Sequence, residues 1–165
     1  EVLATLLGGS WSARMWDRIR EKLGLAYTVQ SMHGTYSNRG YLVTYAGVDH
    51  RNVEKMIRAA LEEYKKICTT DNITAEELKR VKDYIRGTTL IGLEASNAVA
   101  SFVGTEEMVT GKPLTVDEVF AKIDALTPED LCEVAREIIR PERLNLAMIG
   151  PCADKILFEK LLQEF

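Results

Sequence analysis

His33 and His50 are the only imidazoles in the chain, and neither stands in an H-x-x-E-H or H-E-x-x-H sequence. A catalytic zinc of that class needs two imidazoles one helical turn apart, with a carboxylate between them to handle the water. Two isolated histidines do not supply this, and both read as surface or turn residues in loops. Cys68, Cys132 and Cys152 form no C-x-x-C pair, so neither a zinc ribbon nor a redox dithiol is expected. A Cys68–His50 nucleophilic pair has no supporting motif, and no G-x-S-x-G elbow is present. Gly8-Gly9-Ser10 lacks the lysine and the second glycine of a phosphate loop and reads as a helix stop. The chain therefore shows no reaction centre of its own: no metal site, no cofactor, and no activity in isolation.

Bulk properties narrow the partners. The 165 residues carry 21 basic and 25 acidic side chains, mixed along the chain. No basic stripe of the kind nucleic acid requires is present. Lys65-Lys66 and Lys79-Arg80 sit among acids at helical spacing, as on a solvated helix face. No apolar run approaches the length of a membrane span. Nucleic acid and membrane are thus not expected partners. Unpatterned cysteines and the absence of a leader favour the cytoplasm.

The elements that must position any functional residue are legible in outline. Glu1 to Leu7 reads as the end of a helix already under way, stopped by Gly8-Gly9, so the sequence is expected to be cut from something longer. Ser10 or Ser12 can cap a second helix with a stripe at Trp16, Ile19 and Leu23, ended by Gly24. Two antiparallel strands follow, Leu25 to Met32 and Gly40 to Val48, with a loop over residues 33–39. Val53, Met56, Ile57, Ala60, Leu61 and Tyr64 mark one face of an amphipathic helix. Thr74 to Glu77 forms a capping box that opens a long helix, which Gly87 and Gly92 can bend or break. Further helices start at Thr115 and at Thr127, the latter with Pro128 first and a stripe at Leu131, Val134, Ala135, Ile138 and Ile139. A short buried strand over Leu144 to Ile149 and a helix from Asp154 to Phe165 close the chain. The class is α+β, an antiparallel sheet with helices packed on one face.

An ordered set of segments carries a resemblance. Leu7-Gly8-Gly9-Ser10-Trp11-Ser12-Ala13-Arg14-Met15-Trp16, followed by Arg18-Ile19-Arg20-Glu21-Lys22-Leu23-Gly24-Leu25-Ala26-Tyr27, resembles the pitrilysin or insulinase-type zinc metallopeptidases. The likeness is to the C-terminal, zinc-free domain of the processing-peptidase-like branch. Ile73 to Leu78, Leu93 to Ser96, Leu126 to Leu131 and Ala147 to Pro151 extend it, in order, over nearly the whole chain. The resemblance implies one domain fragment over residues 1–165, lacking the family's opening strand and helix before Glu1. It also implies a zinc-bearing N-terminal domain or subunit as partner, and peptide as substrate. A long glycine-rich loop, which the family's noncatalytic subunit carries near Gly8-Gly9, is absent, so a gating role is not supported.

The same resemblance implies that an arginine and a tyrosine seven residues apart reach across to the substrate. Arg20 and Tyr27 have that spacing. In this role Arg20 would hold a substrate carbonyl, and Tyr27 would stabilise the tetrahedral intermediate. The chemistry suits the residue types: a phenol donates a hydrogen bond without carrying charge, and a guanidinium offers several donors in a rigid fork. A plainer alternative pairs Arg20 with Glu21, Asp17 or another surface acid and lets Tyr27 fill a core edge. Arg14 and Arg18 read as structural or solvated. Two other functions stay open: a structural subunit of the same fold without peptidase activity, and a stand-alone peptide-binding or assembly module.

Overall fold

The computed structural model describes residues 1–69, 72–151 and 154–165. The expected Cys152 thiol lies outside these residues. A short helix α1 (Val2–Ala4) runs directly into a π-helical turn, Thr5–Gly9. After an irregular stretch over residues 10–13, a second π-helical segment spans Trp16–Lys22. Neither serine caps it: Ser10 and Ser12 hydroxyls bond to each other at 3.3 Å. Ile19 and, just before the segment, Met15 are fully buried, whereas Leu23 is exposed, so the inward stripe is displaced from the expected 16-19-23 set. Trp16 lies at the rim of the core.

Strands β1 (Ala26–Thr35) and β2 (Gly40–Val48) form an antiparallel hairpin. It is longer than expected, because His33, Gly34 and Thr35 continue β1 against Leu42, Tyr41 and Gly40. Gly34 leaves room for the Tyr41 ring, which a Cβ at that position would push aside. His33 is thus a strand residue, correcting its expected loop position. One face of the hairpin packs on the N-terminal helical segments through Ala26, Val29 and Ser31. The approach is close: a Cβ at Gly8 would fall on the Ser31 backbone.

Helices α2 (Val53–Ile67), α3 (Ala75–Gly92), α4 (Ser96–Thr110), α5 (Val116–Ala125), α6 (Pro128–Ile138) and α7 (Lys155–Gln163) follow. α2 buries Ile57, Ala59, Glu63 and Ile67, while Met56, Ala60 and Tyr64 are half-buried. The long helix from Thr74 breaks after Gly92, as that glycine allows. Its capping box is only half made: Thr74 accepts from the Glu77 N–H at 3.1 Å, but the Glu77 carboxylate turns to Arg14. Thr115 and Thr127 head complete boxes with Glu118 and Asp130. In α6 the buried set is Leu131, Cys132 and Ala135, with Ile139 just beyond, while Val134 is exposed.

The expected strand over Leu144 to Ile149 does not form, and Ile149 is fully exposed. A strand requires a neighbour's backbone groups, and among the described residues the sheet consists of β1 and β2 alone. Leu144 and Leu146 instead border an open cleft of about 1140 Å³, together with Tyr41, Val43, Met56 and Tyr64. No helix among the described residues is long and apolar enough to cross a membrane.

Candidate substrate-contacting site

The segment carrying Arg20 is clamped to the rest of the fold by its two other arginines. Arg14 meets the Glu77 carboxylate with two donors, at 2.7 and 2.6 Å, and also reaches the Asn72 carbonyl. Arg18 donates to Glu62 and lies 3.3 Å from Glu63, the latter contact lacking hydrogen-bond alignment. Glu63 is buried and takes a 2.7 Å bond from Lys66. These pairs tie the π-helical segment to α2 and α3, while Met15 and Ile19 seat it in the core. Arg14 and Arg18 thus engage carboxylates of the fold, in line with their expected structural or solvated role.

Past Lys22 the chain turns at Gly24, whose φ of +59° places it in the left-handed region. Glycine enters that region without the Cβ penalty other residues incur. The turn lets the Leu25 N–H reach the Ile19 carbonyl at 2.9 Å and delivers the chain to β1.

A β-bulge then decides where Tyr27 points. Ala26 pairs with Val48 but Thr28 pairs with Gly47, so one extra residue, Tyr27, is inserted on β1. Val29 and Ser31 face inward, and strict alternation would turn Tyr27 inward with them. The bulge resets the phase, as such insertions do. Ala26 is buried and Tyr27 is 85% exposed. The reading of Tyr27 as a filler of the core edge is therefore incorrect.

Arg20 lies beside it. The guanidinium carbon is 4.1 Å from the centre of the Trp16 ring and 5.7 Å from that of Tyr27. Trp11, also exposed, stacks alongside Trp16 at 6.1 Å with 13° between planes. Glu21 makes a loose ion pair with Arg20 at 3.8 Å, as the plainer reading expected, though beyond hydrogen-bonding distance. Asp17 pairs with Lys22 at 2.6 Å instead. Arg20 and Tyr27 thus share one exposed surface with two tryptophans. Sequence reasoning placed Trp16 in the buried stripe and gave Trp11 no role. The four-residue spacing of Trp16 and Arg20 on a helix was the available signal.

The other candidates do not converge. His33 pairs with Leu42, and His50 lies in a short 3-10 turn beyond Val48. At ~3.3 Å per strand residue, the two stand roughly 20 Å apart along the hairpin. Burial lowers the His33 imidazole below its ordinary value. The half-buried Cys68 thiol is pushed up by burial, which disfavours the thiolate. Buried Cys132 donates to the Cys68 carbonyl at 2.9 Å, a packing role. Among the described residues no group of three or more His, Cys, Asp or Glu side chains is placed to hold a metal ion.

The family model described as the peptidase M16 inactive domain matches residues 1–85. This chain belongs to that family. The M16 inactive domain described here is 34% identical over 154 residues to an uncharacterized zinc protease of Streptomyces coelicolor, covering 93% of this chain and 33% of the relative. It is 33% identical over 150 residues to the uncharacterized zinc protease YmxG of Bacillus subtilis, covering 91% of this chain and 36% of the relative. The chain spans about a third of the length of the curated relatives it matches. A Helicobacter pylori protease matches 82% of this chain and 33% of its own, with a TM-score of 0.72 at 22% identity. A conserved Enterococcus faecalis protein matches 82% of this chain and 31% of its own, with a TM-score of 0.71 at 24% identity. These two likenesses concern the α+β fold.

Proposed function

We propose that this M16 inactive domain is the substrate-contacting, zinc-free part of a zinc metallopeptidase, closing a peptide chamber opposite a zinc-bearing domain or subunit. The observation that carries the reading is the bulge that turns Tyr27 out beside Arg20. In this reading, metal binding and water activation belong to the zinc-bearing part. This chain's contribution is to the substrate. Amide hydrolysis develops negative charge on the scissile carbonyl oxygen, and an uncharged Tyr27 hydroxyl can donate to it. Preorganised donors of this kind are worth about 2.7–4 kcal/mol elsewhere. Arg20 would hold a neighbouring carbonyl of an extended peptide through its fork of N–H groups. The parent's location in the cytoplasm is part of the same proposal, supported by the free thiols Cys68 and Cys132.

The test is peptidase activity of the full-length parent, with its zinc-bearing part, as wild type, Tyr27→Phe and Arg20→Ala. A loss of about 10²-fold or more in kcat for Tyr27→Phe, with zinc content and folding intact, supports the proposal. If both variants cleave like wild type, the domain is a wall of the chamber only.

A further inference from the structure

Three arginines lie within seven residues on one segment, and their guanidinium groups are used differently. Those of Arg14 and Arg18 donate to carboxylates of Glu77 and Glu62. Arg20 rests on an aromatic face, at 4.1 Å from the Trp16 ring centre, and its ion pair with Glu21, at 3.8 Å, is too long for a hydrogen bond. A ring attracts the cation through its quadrupole. Such a contact needs no N–H···O bond, so it restrains the group without spending those donors on a carboxylate. A carboxylate clamp would restrain it equally well and leave it little to offer.

Trp16 is itself held. It is half-buried against the core, between the fully buried Met15 and Ile19 in the same helical region, and Trp11 stacks alongside. Tyr27 approaches the same guanidinium at 5.7 Å.

We infer that Trp16 is the positioning residue of the site, holding the Arg20 guanidinium beside Tyr27 with its donors free for substrate. The inference rests on the proposed function above, because it acts through Arg20. A free arginine side chain loses rotamer entropy when it is ordered. Ordering it before substrate arrives removes part of that cost from binding.

The experiment uses the full-length parent with its zinc-bearing part and an extended peptide substrate. It compares wild type, Trp16→Phe, Trp16→Leu, Arg20→Ala and the Trp16→Leu/Arg20→Ala double variant. Phenylalanine keeps an aromatic face; leucine keeps apolar bulk without one. The expected results are near-wild-type kcat/KM for Trp16→Phe and a loss of about 3- to 30-fold for Trp16→Leu. The double variant should be no worse than Arg20→Ala alone. Thermal midpoints are read in parallel, and if Trp16→Leu does not fold, Trp16→Met replaces it.

Wild-type kcat/KM in the Leu or Met variant overturns the inference. So does a loss that multiplies with that of Arg20→Ala, because Trp16 then acts independently of the arginine. Both results leave the proposed function standing if Arg20→Ala itself is impaired. If Arg20→Ala cleaves like wild type, Arg20's substrate contact fails and this inference falls with it.

Discussion

The Tyr27 ring lies 5.7 Å from the Arg20 guanidinium carbon, although the two residues belong to different elements and seven positions separate them. Three local features produce this. Buried Ile19 sets the helical segment, Gly24 makes the left-handed turn, and the bulge after Ala26 turns the phenol outward. Each feature can be perturbed separately.

Gly24→Ala should destabilise the domain by about 1 kcal/mol, since alanine must adopt φ near +59°. A Cβ there meets nothing within 4 Å, so the cost is backbone strain alone. Chemical denaturation measures it. Under the proposed function, a fall in peptidase activity of the full-length parent larger than the lost stability explains would show that the turn aims Tyr27.

Gly8→Ala should cost more, about 1–3 kcal/mol, because the added carbon lands on the Ser31 backbone. The first π-helical turn must then move away from β1. An unfolding midpoint equal to that of the wild type would mean the contact relaxes freely.

Breaking the Arg14–Glu77 pair should destabilise by about 1–3 kcal/mol, since either remaining partner is left largely buried. The Arg14→Ala and Glu77→Ala losses should be less than additive when combined. A double-mutant cycle in urea reads the coupling, and strict additivity would show that the two side chains act apart.

Acid should act through the helix caps. Hydrogen bonds from the Thr115 backbone and hydroxyl hold the Glu118 carboxyl below its ordinary value, and Thr127 does the same for Asp130. A depressed folded-state pKa means the stabilisation is present above the unfolded value, about 4. It is lost as pH falls through the lower folded value. Urea midpoints should therefore decline below about pH 4, and Glu118→Gln with Asp130→Asn should flatten that decline. An unchanged slope in the double variant would assign the acid sensitivity to other carboxylates.

What the residue pattern determines by itself is local. Helix starts at Thr74, Thr115 and Thr127, the stop at Gly24, the break near Gly92 and the pairing of two strands all follow from capping chemistry, glycine freedom and apolar periodicity. These signals act over a few residues and were legible. The spacing of Arg20 and Tyr27 was legible too, through the resemblance, and the family match agrees with that resemblance.

Tertiary structure decided the rest. Alternation from Val29 and Ser31 points Tyr27 inward, and only the unequal pairing with Val48 and Gly47 turns it out. Glu77 reads as half of a capping box, yet a cation 63 positions away draws its carboxylate off. Leu144 to Ile149 has a strand's composition, but pairing needs a neighbour that the local sequence does not specify. Trp16 reads as core, and its position at the rim, with Arg20 on its face, depends on how the segment docks. Local preference is set within a few residues, whereas exposure, strand pairing and ion-pair choice are set by groups that meet only when the chain has folded.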